Sequence, residues 1–173
     1  MTIAGEVELA RRAAGGDLAA FAALIRAHEP TLRRFTRRLA GDDGDDLAQE
    51  TFLAAWRALG QWRGEGTLAA WLRAIATRRF LDQRRTLVGQ ARHAPLAEAG
   101  DIPHCDETER RVRLDRALAR LPNRERAAAL LVFGEGHSHS EAATMLGVPL
   151  GTLKSLVARA RTALMPLLEG IET

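Results

Sequence analysis

A chain of 173 residues is long enough for one or two small domains, each able to bury a core. Aromatic residues make up only 5% and tyrosine is absent, which argues against large stacking platforms; Cys105 is the only cysteine, which leaves no disulfide framework and no cysteine-based zinc site. The net charge of +3 permits a polyanionic partner without requiring one. No apolar run is long enough to cross a bilayer, and the N-terminus lacks a basic-then-apolar leader pattern, so a soluble, cytoplasmic protein is expected.

Almost every periodic stretch is helical. Glu6 to Ala14 reads as a short helix closed by Gly15-Gly16. Asp17 caps a second, with Leu18, Phe21, Leu24 and Ile25 on one face. After His28-Glu29-Pro30 a third helix is predicted from Thr31 to about Ala40, burying Leu32, Phe35 and Leu39 and exposing Arg33, Arg34, Arg37 and Arg38. Gly41-Asp42-Asp43-Gly44 reads as a turn. Asp45 or Asp46 starts a fourth helix to about Leu59, with Ala48, Phe52, Ala55, Trp56 and Leu59 at helical spacing. Gly64-Glu65-Gly66 breaks the chain. Thr67 caps a fifth helix from Leu68 to about Arg85, striped by Leu68, Leu72, Ile75, Ala76 and Phe80.

From Thr86 to about Glu107 periodicity fades, and Gly89, Pro95, Gly100 and Pro103 break up the stretch, which reads as a linker. Thr108 to Leu121 carries Val112, Leu114 and Leu118 and stops at Pro122; Asn123 caps a helix through Phe133. The next segment, Ser138 to Leu164, has the chemistry of a helix-turn-helix. Ser138 and Glu141 form an S-x-x-E capping box. Gly147 supplies a left-handed helix end, and Pro149 suits the first turn of a new helix. Ala143 is small where two helices cross, and Leu146, Val148 and Leu153 form a minimal core. Between Ala142 and Leu168 there is no acid, while Lys154, the only lysine of the chain, stands with Arg159 and Arg161. A tight turn presenting a basic helix suits docking in the major groove. Pro166 ends or kinks that helix.

The fold class expected is all-α: two small helical domains, residues 1–86 and 108–173, joined by a flexible linker at 87–107. Charge is segregated sharply along the first of them and into the linker. Leu39 to Trp56 carries Asp42, Asp43, Asp45, Asp46 and Glu50 with no base, whereas Trp71 to Arg92 carries six arginines against Asp82 alone. Taken singly, the acidic run suits compensation of a helix dipole and the basic run suits a solvated face with i,i+4 pairs. Taken with a helix-turn-helix, they suit a protein partner and a phosphate backbone.

Asp46-Leu47-Ala48-Gln49-Glu50-Thr51-Phe52-Leu53-Ala54-Ala55-Trp56 resembles the D-L-x-Q-E-T-F-L-x-A-W signature of sigma factor region 2. Trp62-Arg63-Gly64-Glu65-Gly66-Thr67-Leu68-Ala69-Ala70-Trp71-Leu72 is similar to the F-R-G-E-x-x-x-x-T-W-L that follows it. Leu121-Pro122-Asn123-Arg124-Glu125-Arg126 and Gly147-Val148-Pro149-Leu150-Gly151-Thr152-Leu153-Lys154-Ser155 resemble the two signatures of region 4. All four occur in family order over nearly the whole chain, which is similar to bacterial sigma-70 family factors of the extracytoplasmic-function (ECF) group.

That resemblance implies binding to core RNA polymerase, through the β′ clamp and β flap, and to promoter DNA. Asp46, Gln49, Glu50, Leu53 and Trp56 would face the clamp, although Asp46 and Gln49 also fit a local capping box. The loop Trp62 to Thr67, through Trp62, Arg63, Gly64 and Thr67, would hold an unstacked base of the −10 element. Arg73, Arg78, Arg84 and Arg85 would follow the single strand. Trp71 suits core better than stacking. Lys154, Ser155 and Arg159 would read the −35 duplex, and Arg161 would grip phosphate. An anti-sigma factor is a further implied partner, and no attached sensor domain is expected.

Three positions depart from the family pattern. Lys154-Ser155-Leu156 stands where Lys-Ser-Arg is common, His137 stands for an apolar residue, and Ala142 for a larger aliphatic, so altered or weaker −35 recognition is expected. Leu156 either faces the groove with one cation missing or packs against Leu153 and Val157. No enzyme is expected, and neither cofactor, metal ion nor catalytic residue. His137 and His139, and His104 beside Cys105, lack structural-zinc spacing, and no nucleophile-base pair, P-loop or dinucleotide fingerprint is present. Two other readings stand: a helix-turn-helix regulator acting without polymerase, for which a clamp helix is useless, and a sigma mimic that sequesters an anti-sigma factor.

Overall fold

A computed structural model describes residues 3–88 and 107–168. Every regular element among the described residues is helical. The chain divides into two units, Met1–Phe80 and Leu81–Thr173. The linker expected over 87–107 lies outside the described residues except at its ends, since one helix continues to Val88 and the next opens at Glu107. His104 and Cys105 fall in the same undescribed stretch.

The first unit contains α1 (Ile3–Ala14), α2 (Leu18–Ala40) and α3 (Gly44–Ala58), followed by α4 (Leu68–Val88), within which the unit boundary falls. Asp17 caps α2 as expected, its carboxylate accepting from the Ala20 amide at 3.0 Å. That bond, followed by Arg12, holds the Asp17 carboxyl below the usual carboxylate range. Leu18, expected on the buried face, is instead exposed at the helix start.

The two helices expected on either side of Pro30 are one. Pro30 sits inside α2, which runs unbroken to Ala40. An interior proline costs about 3 kcal/mol through its missing N–H and its clash with the preceding turn. The cost is offset because Ala20 and Leu24 before it, and Leu32, Phe35 and Leu39 after it, are all buried. At about 1.5–3 kcal/mol for each large side chain buried, one continuous face outweighs the break.

The fourth predicted helix is α3, which begins at Gly44. Gly44 is buried against α2, so the turn signal read at 41–44 covers only Gly41–Asp43, a single 3₁₀ turn. The capping box proposed for Asp46 and Gln49 does not fit this start: Asp46 lies inside the first turn, past the cap position. Asp45 ties the helix to α2 instead, accepting from Arg33 at 3.0 Å and from Arg37 at 2.9 Å. Arg37 first, then Arg33, hold its carboxyl below the ordinary range.

The second unit is built from α5 (Glu107–Arg120), α6 (Asn123–Ala129), α7 (His139–Leu146) and α8 (Leu150–Leu168). Pro122, rather than Asn123, occupies the cap position of α6, and Asn123 is its first helical residue. The helix expected through Phe133 ends at Ala129 and widens into one π turn, Leu130–Gly134, closed by the Glu135 amide on the Leu130 carbonyl at 2.9 Å. Val112, read as core, is exposed. Pro166 lies inside α8 without ending it.

The helix-turn-helix forms as its local chemistry requires. Ser138 Oγ accepts from the Glu141 amide at 3.2 Å, and the Glu141 carboxylate accepts from the Ser138 amide at 2.8 Å. The Ser138 hydroxyl, followed by the Ser138 amide, holds the Glu141 carboxyl below its ordinary range. Gly147 is left-handed at φ 66°, and Val148 donates back to the Ala143 carbonyl at 3.0 Å, closing a Schellman end. Ser138→Ala removes one half of the cap and should lower stability by about 1 kcal/mol. A urea unfolding curve with a lower midpoint and unchanged slope would show it.

Candidate functional site

On α3 the side chains expected to meet a protein partner divide by environment. Asp46 and Gln49 are exposed, and Leu53 is 52% exposed, a large apolar side chain in water. Opposite them Leu47, Ala48, Thr51, Phe52 and Ala55 are buried, so the stripe is presented by a face-locked helix. Glu50 is half-buried and pairs with Arg79 of α4 at 3.2 Å. Trp56 is also half-buried, its ring tilted 58° against Phe21 with centroids 4.6 Å apart, an arrangement favoured by the aromatic quadrupole. Reading these residues from sequence missed both partners, because each lies on a different helix.

The loop 62–67 is anchored at one end by Trp62. Expected among the residues that touch DNA, Trp62 is 9% exposed, so its ring is part of the core and holds the loop rather than projecting from it. The groups the loop offers to solvent are Arg63, Glu65, Gly66 and Thr67. Gly64 has φ +77°, open to glycine at low cost, and a side chain there would meet Val7 of α1 at 2.8 Å. Thr67 caps α4, accepting from the Ala70 amide at 3.2 Å. Along α4, Arg78 and Arg85 are exposed, while Arg73 and Arg84 are half-buried. Trp71 is half-buried too.

In the second unit, Lys154, Ser155, Arg159 and Arg161 are all exposed on α8. Ser155 Oγ donates to the Gly151 carbonyl at 3.0 Å, which leaves its lone pairs available as acceptors. Leu156 belongs to the opposite face. It is 2% exposed, with Leu153, Val157 and Ala160 buried beside it on the same helix. Of the two readings open for this residue the packing one is correct, and no groove-facing cation is missing at 156. Ala142 is completely buried and His137 half-buried, its amide donating to the Leu131 carbonyl at 3.0 Å.

The Leu121–Arg126 signature has a mechanical meaning that sequence reading did not find. Arg126 donates through Nη2 to the carbonyls of Ala119 and Leu121, at 3.3 Å for the latter. It thereby satisfies acceptors that the end of α5 leaves orphaned. Burial pushes the guanidinium below its ordinary value, yet arginine retains its charge in proteins. The start of α6 is thus pinned to the end of α5. From that start Glu125, only 13% exposed, accepts from Arg159 of α8 at 2.9 Å.

Comparison with known proteins finds two family regions along the chain. The sigma-70 region 2 family model matches residues 24–88, and the sigma-70 region 4 model matches residues 111–164. The chain is 37% identical over 174 residues to the ECF RNA polymerase sigma factor SigM of Mycobacterium tuberculosis, an alignment spanning 97% of this chain and 87% of that relative. It is 38% identical to the RNA polymerase sigma factor NccH of Alcaligenes xylosoxydans xylosoxydans, over 93% of each. Among solved structures it is similar to the sigma factor RpoE in complex with the anti-sigma factor NepR from Bartonella quintana, with a TM-score of 0.67 and 28% identity over 88% of this chain and 98% of that one. A second similar structure is CnrH in complex with the cytosolic domain of CnrY, with a TM-score of 0.65 and 28% identity over 97% of this chain and 99% of that one.

Proposed function

The chain belongs to the extracytoplasmic-function group of the sigma-70 family, and from that premise we propose how its surfaces share the work of transcription initiation. It is a sigma factor: it binds core RNA polymerase and directs initiation at specific promoters. The chemistry of RNA synthesis is the polymerase's, and this chain contributes binding and opening of DNA rather than catalysis, acting in the cytoplasm with the enzyme it serves.

The exposed stripe Asp46, Gln49 and Leu53 of α3 meets the β′ clamp, with Glu50 and Trp56 at its edge. The loop from Arg63 to Thr67, anchored by Trp62, holds an unstacked −10 base, and Arg73, Arg78, Arg84 and Arg85 of α4 lie along the opened strand. Lys154, Ser155 and Arg159 read the −35 duplex, and Arg161 binds phosphate. Residues 1–86 and 108–173 act as the two binding domains, with 87–107 between them. The observation that carries this reading is an acidic, part-apolar stripe on α3 in a chain whose other unit carries an exposed, acid-free basic helix. A regulator acting without polymerase has no use for the first of these.

An anti-sigma factor is proposed as the inhibitory partner. The likeness to the sigma factor RpoE, solved in complex with the anti-sigma factor NepR, supports this reading.

Transcription from genomic DNA by purified core polymerase, with and without this chain, tests the whole reading; promoter-specific transcripts are expected only when it is added. Asp46→Lys is the sharper probe of the clamp surface, because Asp46 is exposed and its reversal leaves the core untouched. It should weaken core binding about tenfold, ~1.4 kcal/mol, with unchanged helicity. Glu50→Lys is less clean, since it sets a cation beside Arg79. Unchanged core affinity in Asp46→Lys would refute the clamp assignment.

A further inference from the structure

We infer that Glu125 is a positioning residue for promoter recognition: it aims Arg159 at a base edge of the −35 element. The inference rests on the reading of Arg159 as a −35 contact. An exposed arginine has many rotamers, and a guanidinium free to wander meets phosphate as readily as a base. Arg159 is not free to wander. Its guanidinium is 61% exposed, but its Nε donates to Glu125 at 2.9 Å, from a carboxylate that is itself only 13% exposed.

That carboxylate is held in place. Glu125 lies in the first turn of α6, where the Arg126 amide bonds the Pro122 carbonyl at 2.9 Å and the Arg126 side chain grips the carbonyls of Ala119 and Leu121. Guanidinium has five donors in a rigid fork, and only Nε is used by this pair, so the terminal amino groups retain the geometry that matches guanine O6 and N7. Pairing also cuts the rotamer freedom that would otherwise be lost on binding DNA. Along α8 itself no acid is present from its first residue to Leu168, so the orientation comes from a neighbouring helix.

The test uses the full chain assembled with core polymerase and a library of −35 duplexes. Arg159→Ala first identifies the base position that the arginine reads; if no position loses preference, the reading of Arg159 fails and takes this inference with it. Glu125→Ala should then lower discrimination at that same position about tenfold. It should leave preference at the position lost in Lys154→Ala unchanged, and add nothing in an Arg159→Ala background. Glu125→Gln keeps the shape and an acceptor oxygen, and should retain part of the discrimination. Two results would overturn the role. Tighter binding to every sequence with discrimination intact would make Glu125 only a competitor of DNA for Arg159. Equal losses at all positions, with a lowered melting temperature in both variants, would make it a structural residue.

Discussion

Leu156→Arg should unfold the second unit rather than strengthen its grip on DNA. The family pattern has a cation at this position, and the sequence alone leaves the substitution either a repair or a charge placed in the core. Its surroundings say otherwise. Leu153, Leu156, Val157, Ala160 and Leu164 follow the i, i+3, i+4, i+7 rhythm of a buried stripe, and every one is at most 6% exposed. A guanidinium placed there has lost its water and has no acid on its own helix, since none occurs between Ala142 and Leu168. Part of the stem can snorkel toward solvent, but an unpaired buried charge ranks among the few mechanisms that cost about 4–5 kcal/mol. Against a typical domain stability of about 5–15 kcal/mol, that is most of the margin. Thermal unfolding of the full chain, followed by circular dichroism, should lose or sharply lower the transition of the second unit while the first is retained. An unchanged melting temperature with tighter −35 binding would mean that the helix face is turned toward DNA.

Gly44→Ala should be as damaging in the first unit, and for a steric reason. The backbone of Gly44 is ordinary helix, at φ −65° and ψ −35°, so alanine has no conformational penalty and would favour the helix by about 0.5–1 kcal/mol if space allowed. Space does not allow it. The added Cβ would lie 2.5 Å from Arg37 Cα, 2.7 Å from Arg37 N and 2.9 Å from Thr36 C. All three are backbone atoms of α2, which no rotamer change can move. Helices α2 and α3 would have to separate, opening a core that includes Phe35, Leu39 and Leu47. Overpacking costs about 1–3 kcal/mol where side chains can give way, so a loss of about 3 kcal/mol or more is expected where only backbone can. Gly151→Ala is the control, because nothing lies within 4 Å of a Cβ there; it should be neutral or slightly stabilising. Urea unfolding of the two variants separates the outcomes. Core binding should fall with Gly44→Ala as well, since α3 carries the proposed clamp stripe.

What the sequence determined by itself is the chemistry that acts within a few residues. The Ser138–Glu141 box, the left-handed Gly147, the Asp17 cap and the Thr67 cap all form, because donor and acceptor are three or four positions apart and no distant partner is needed. The four family signatures, read in order, were enough to place the chain among ECF sigma factors. Tertiary structure decided the rest. Pro30 reads locally as a break, yet burial of residues on both sides keeps α2 whole. Trp62 stands between the exposed Gln61 and Arg63, and Leu156 follows the exposed Lys154 and Ser155; the packing around each decides that it points inward. The pairs Glu50–Arg79 and Glu125–Arg159 join residues 29 and 34 positions apart, beyond the reach of any helical period. Periodicity tells which residues share a face of one helix. Which faces meet, and which charge then stands beside which, follows from how several helices bury their apolar stripes together.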